Sequence, residues 1–144
     1  MRIAVVAGVA VVLLASCASG ASSPSASAAA SASAAGATVK TAKNANLGTI
    51  LVAANGMTLY VFDKDAKDTS NCSGACATTW PPLTASGTPT GNGISGTLGT
   101  ITRSDGGKQV TLNGKPLYYY KNDQKPGDAI GNGINGIWHV VTNP

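Results

Sequence analysis

The sequence predicts an all-β domain, built from two pseudo-symmetric hairpin-based repeat units that share one core, and three observations point to it. First, the phrase NGMTLYVFDKD (Asn55 to Asp65) returns as NGKPLYYYKND (Asn113 to Asp123), an offset of 58. The same offset aligns Val52 with Val110, Leu59 with Leu117 and Trp80 with Trp138 without a gap, which marks an internal duplication. Second, each copy carries two apolar, β-prone runs about an Asn-Gly pair, the residues that supply the positive φ angles of a type I′ hairpin. Third, no segment carries the apolar period of an amphipathic helix. Units spanning about 47–83 and 105–141 are each too small to bury a core alone, so the domain, residues 38–144, is expected to be single.

The chain opens with a leader. Residues 1–16 have a basic start (Arg2), an apolar run from Ile3 to Ala15, and small residues before Cys17. That run is shorter than the roughly 20 residues a membrane-crossing helix needs, so it is expected to be a lipoprotein signal peptide cleaved before Cys17. Cys17 then becomes the acylated N-terminus, since small residues let the peptidase reach the bond preceding the modified thiol. Several acyl chains make a stable anchor where one is marginal. Residues 17–37 continue as a lipidated Cys and an Ala/Ser-rich tether that lacks large apolar side chains. A flexible coil of that length spans about 25 Å, which holds the domain outside the cytoplasm and off the membrane.

Within unit 1, TILVA and TLYVF form the hairpin arms about Asn55-Gly56. Within unit 2, GTLGTITR leads through Ser104-Asp105-Gly106-Gly107 into KQVTL, and KPLYYY follows Asn113-Gly114. IWHVV (Ile137 to Val141) reads as a closing strand, and at most a short helical turn is expected around Ser73 to Thr79. Side chains alternate across a strand. Leu59 and Val61 therefore face one way and Tyr60 and Phe62 the other, with Leu117 and Tyr119 set against Tyr118 and Tyr120. Trp80 and Trp138 are candidate covers for the aromatic face.

Tyr60-x-Phe62-x-x-Asp65 and Tyr118-x-Tyr120-x-x-Asp123, with NCSGACATTWPPL after the first and GNGINGIWHVV after the second, carry a resemblance. They are similar to the motif of the bacterial secreted-repeat lipoprotein family, whose function is unassigned. The resemblance implies an exported, duplicated domain and transfers no catalytic residue. From the residues themselves, Asp65 and Asp123 fall where the strand ends, and a carboxylate there accepts backbone N–H groups of the next turn. A binding role is the alternative for these motif residues.

Cys72 and Cys76 frame CSGAC in an exported domain, where a disulfide is the default. A metal or redox dithiol is the alternative, but two thiolates need further ligands. The only His is His139. Asp63, Asp65 and Asp68 lack the Gly and the bidentate Glu of an EF-hand loop, and Gly131 to Gly136 lacks the Lys of a phosphate loop. With one His and no Gly-x-Ser-x-Gly elbow, no catalytic residue, metal or cofactor is predicted.

Ten basic residues against six acidic ones, all Asp, give a formal net charge of +4. The basic residues are scattered, which argues against a nucleic-acid partner. The expected function is a membrane-anchored, non-catalytic β module of the cell envelope, attached through its lipid and binding an envelope protein, polymer or small ligand. The alternative is a redox or cofactor-handling lipoprotein with Tyr118, Tyr119, Tyr120, Trp138 and His139 lining the site. Burial of these aromatics argues against that alternative, and an open cluster of His139 with Asp123 argues for it.

Overall fold

The computed structural model describes residues 36–144; the leader, Cys17 and nearly all of the tether lie outside the described residues. Strand β1 (Thr38–Asn44) pairs antiparallel with β2 (Gly48–Ala53). β3 (Tyr60–Phe62) follows, then a loop carrying a short helix α1 (Ala75–Thr79) and the brief strand β4 (Thr90–Gly91). Unit 2 repeats the plan as β5 (Leu98–Thr102), β6 (Lys108–Leu112), β7 (Lys115–Pro116), a 3-10 turn at Ile134–Gly136 and β8 (Trp138–Val140). Among the described residues the fold is thus mostly strand with one short helix, and it comprises two repeat units. β1 was not foreshadowed: TVKTAKN has too few large β-branched or aromatic residues to stand out.

The closing segments are exchanged between the units. β3 of unit 1 pairs with β8 of unit 2, Phe62 opposite Trp138 and Tyr60 opposite Val140. Reciprocally, the segment that runs on from the end of α1 reaches across: Lys121 N–H donates to Thr79, Tyr119 N–H to Pro81 and Leu83 N–H to Leu117. Tyr60 and Tyr118 bridge each other at the centre, each N–H donating to the other's carbonyl at 2.9 and 3.0 Å. β3 therefore finds hydrogen-bond partners in unit 2, at β8 and at Tyr118.

The two hairpins differ at their turns. Asn113 and Gly114 both take positive φ (52° and 79°), and Leu112 pairs with Lys115, as a type I′ turn requires. In the hairpin turn of unit 1, Gly56 alone has positive φ (82°). There Gly56 N–H donates to Ala53, Ala53 N–H donates to Met57, and Met57 N–H reaches the Asn55 side chain. That is a three-residue loop closed by a glycine bulge, in place of the expected type I′ turn.

The extra residue has a consequence for register. Past the turn, Leu59 matches Leu117 at 58, but before it Leu51 matches Val110 and Val52 matches Thr111, an offset of 59. The backbone bears this out, since Leu59 N–H donates to Leu51 and Leu117 N–H donates to Val110. The alignment of Val52 with Val110 is therefore a coincidence of residue type: the two face opposite layers.

Alternation along β3 and its counterpart divides the core as expected. Leu59, Leu117, Leu51, Val110, Leu83 and Val141 form an aliphatic layer. Tyr60, Tyr118, Trp80, Trp138, Ile50 and Cys72 form an aromatic one.

Candidate functional site

The chain has seven aromatic residues, and six of them meet in the aromatic layer. Phe62 stacks on Trp138 (4.2 Å), Trp138 on Trp80 (3.9 Å, planes within 4°) and Trp80 on Tyr120 (4.3 Å). Tyr60 meets Trp80 edge-on at 5.3 Å and Tyr118 meets Trp138 edge-on at 5.2 Å, the geometry favoured by the ring quadrupole. The repeat relation maps each half of this array onto the other, so its pseudo-twofold axis runs between the two tryptophans. Both are buried, and Phe62 and Tyr120 close the ends half-buried.

The motif tyrosines and aspartates pair across the units. Tyr60 Oη donates to Asp123 Oδ2 at 2.7 Å, and Tyr118 Oη donates to Asp65 Oδ2 at 2.6 Å. Each carboxylate's second oxygen accepts a main-chain N–H, from Asn71 to Asp65 (2.6 Å) and from Ile130 to Asp123 (3.2 Å). The Asp residues thus hold the loops that follow them, but at a distance of six or seven residues and with a tyrosine of the other copy as the second donor. Gly131 lies so close that a Cβ there would meet Trp80 at 2.8 Å and Tyr60 at 2.9 Å. Its N–H donates to Tyr60 Oη. Only a glycine backbone fits this approach.

Burial dominates the electrostatics. It pushes the carboxyls of Asp65 and Asp123 above the usual carboxylate range, with the tyrosine hydrogen bonds acting in the opposite sense. Burial also raises the hydroxyls of Tyr60 and Tyr118 well above their ordinary value, so both remain donors. Tyr119, whose ring packs against the aliphatic layer, is pushed up to about 12 by burial.

Sequence reasoning missed Arg103, Ser70 and Gln109. Arg103 is buried and donates to Ser70 Oγ (2.8 Å), Gln109 Oε1 (2.7 Å) and the Cys72 carbonyl (2.8 Å), with Asp105 at 3.1 Å. Ser70 Oγ in turn lies 2.7 Å from Tyr118 Oη. One network therefore ties the turn of unit 2 to the motif loop of unit 1. Asn44 makes the weaker equivalent, donating to the Gly127 carbonyl of unit 2's loop. Nothing in the local sequence distinguishes Arg103 from a solvated arginine, which is the commoner state.

Cys72 and Cys76 form a disulfide, with Cys72 fully buried in the aromatic layer. Of their spacing equivalents, Ile134 packs on that layer whereas Ile130 is 60 % exposed, so aliphatic packing replaces only half of the crosslink. Reducing the disulfide is expected to lower stability by about 2 kcal/mol, the entropic value for so short a loop. Denaturant titrations with and without reductant measure it. An unchanged midpoint would mean that the packing of α1 alone holds the segment.

His139 is not brought to Asp123. Its Nε2 lies 2.9 Å from Asp63 Oδ2 in a half-exposed pair on the β3–β8 surface. Among the described residues no three His, Cys, Asp or Glu side chains gather as a metal site would require.

Two β units, each supplying strands and acid–hydroxyl pairs to the other, define the class: a duplicated domain closed by reciprocal contacts. The family model described as a secreted repeat of unknown function matches residues 41–84 and 99–142, and the chain belongs to this family. Both ends of the match repeat at the offset of 58 seen in the sequence. The family is one of secreted repeats, which makes the chain an exported protein, and no helix among the described residues is long and apolar enough to cross a membrane. No curated protein and no solved structure matches the chain.

Proposed function

We propose that the chain is an envelope lipoprotein, acylated on Cys17, whose tethered β domain is a non-catalytic binding or structural module. The observation that carries the reading is the closure of the motif residues on one another. Tyr60 and Tyr118 bond to Asp123 and Asp65, and Trp80 and Trp138 stack on each other in the core. A repeated motif used in this way supports an architectural role, which leaves recognition to the outer surface of the domain and anchoring to the leader.

Anchoring is tested by metabolic labelling with a fatty-acid analogue. Label is expected on the wild-type chain and lost, with release of the protein from membranes, in Cys17→Ser. Label retained by that variant would sink the anchor. Crosslinking on intact cells then reports the envelope partner.

The four-ring stack favours a second reading, redox or cofactor handling, because it runs unbroken between two half-exposed ends. Its test is an absorption spectrum and elemental analysis of protein purified from its own host without chelators. A stoichiometric chromophore or metal would replace the first reading with this one.

A further inference from the structure

The repeat relation makes one edge of the molecule conspicuous. In unit 1 the outer edge of β1 is covered by β4, whose Thr90 and the neighbouring Asn92 donate to the carbonyls of Ala37 and Val39. The corresponding strand of unit 2 is β5, which pairs with β6 alone among the described residues. Thr97 and Arg103 bond inward, to Asn113 and Gly107, so by alternation the main-chain groups of Leu98, Thr100 and Thr102 point outward. None of these three makes a main-chain hydrogen bond outside β6 among the described residues.

Monomeric proteins blunt such edges with Lys, Pro or a bulge. β1 carries Lys40 and Lys43 in addition to its cover, whereas β5 reads Leu-Gly-Thr-Ile-Thr, with neither charge nor proline. Beside it lies an open groove of about 430 Å³, lined by Gly99, Thr111 and Asn113 on the sheet and by Lys67 and Asp68 on the loop.

We infer that β5 is the surface through which two copies of this chain associate, pairing edge to edge and antiparallel about Thr100. The register is self-complementary. Thr100 meets its own counterpart, and Leu98 meets Thr102 of the second copy, so every outward main-chain group gains a partner. Gly99, whose face is flanked within its own sheet by Thr111 Oγ1, falls opposite Ile101 of the second copy on that same face, so the isoleucine packs over a residue with no side chain to meet it. No charged side chain of β5 is brought against its copy. A strand from a different protein would complete the main-chain bonds equally well, but only self-pairing places Ile101 beside Gly99 twice.

The test uses the full, exported chain on intact cells, where Cys72 and Cys76 are paired with each other. T100C is expected to give a disulfide-linked dimer under mild oxidation, since facing positions in this register lie roughly 5.5 Å apart, within disulfide reach. T102C, whose two copies stand roughly 14 Å apart along the same ladder, is expected to crosslink at least about tenfold more slowly. In sedimentation of the detergent-solubilised chain, T100K and T100E are each expected to be monomeric and their mixture dimeric; Thr100 is exposed, so both variants keep the fold. Equal crosslinking of T100C and T102C, no T100C dimer, or T100C trapping only another protein would each overturn the inference.

Discussion

A chain truncated after Gly96, which retains all of unit 1, is expected to lose cooperative unfolding altogether. In the whole domain, Tyr60–Phe62 pairs with Trp138–Val140, and Leu51 N–H donates to Val141. The Thr79 to Leu83 segment likewise bonds to unit 2, at Lys121, Tyr119, Leu117 and Val110. Truncation removes these partners, strips Trp80 of Trp138 and leaves Asp65 without Tyr118. Each lost contact exposes apolar surface or orphans a buried polar group, and a domain whose total stability is about 5–15 kcal/mol does not survive all of them together. Circular dichroism and calorimetry of the truncated chain provide the check. Adding residues 97–144 as a separate chain is expected to restore the transition, because the two units meet through non-covalent contacts. A sharp transition in the single unit would refute the shared core.

Trp80→Ala is expected to cost about 3–5 kcal/mol, the range for truncating a buried tryptophan. Trp80 stands at the pseudo-twofold axis, 4 % exposed, stacked on Trp138 and Tyr120 and met edge-on by Tyr60. The cavity opens where the two units join, and collapse to fill it would have to move the Tyr60–Asp123 pair. A fall in the thermal midpoint of at least roughly 12 °C follows for a domain of this size. Trp138→Ala is expected to behave alike. The double variant should cost less than the sum, since the shared Trp80–Trp138 contact is lost only once. Strict additivity would mean that the stacking contributes nothing beyond burial.

The buried carboxylates set the pH dependence. Asp65 and Asp123 bind their protons more tightly in the folded state than in the unfolded one, because burial penalises their charge. Stability from this source is therefore complete below the unfolded carboxyl value of about 3.9 and is lost as pH rises through the elevated folded values. Asp105 works in the opposite sense: the Gly107 N–H and Arg103 hold its carboxyl low, so its contribution is lost only as pH falls below the ordinary range. The thermal midpoint is expected to rise on mild acidification from neutral and to turn over at lower pH. Replacing both buried residues, as Asp65→Asn with Asp123→Asn, should flatten the rise; an unchanged slope would assign it elsewhere.

Sequence and structure divide along a physical line. The duplication, the strand class, the split of Leu59 from Tyr60 between two layers and the Cys72–Cys76 bond were all legible in the chain. They depend on local backbone preferences, on the two-residue alternation of a strand, or on thiols four positions apart. The turn of unit 1 was harder, because Asn-Gly suits both a type I′ turn and a bulged loop. The choice shifts the register of everything before it by one residue.

What only the tertiary structure decided is who meets whom across the repeats. Tyr60 has Asp65 five residues away in its own motif, yet donates to Asp123, at a sequence separation of 63. Arg103 is buried by a loop that begins more than thirty residues before it. Such pairings follow from the exchange of closing strands, and that exchange is favoured only when both units are present to fill one core. No window of sequence contains that free energy, because it belongs to the assembled pair.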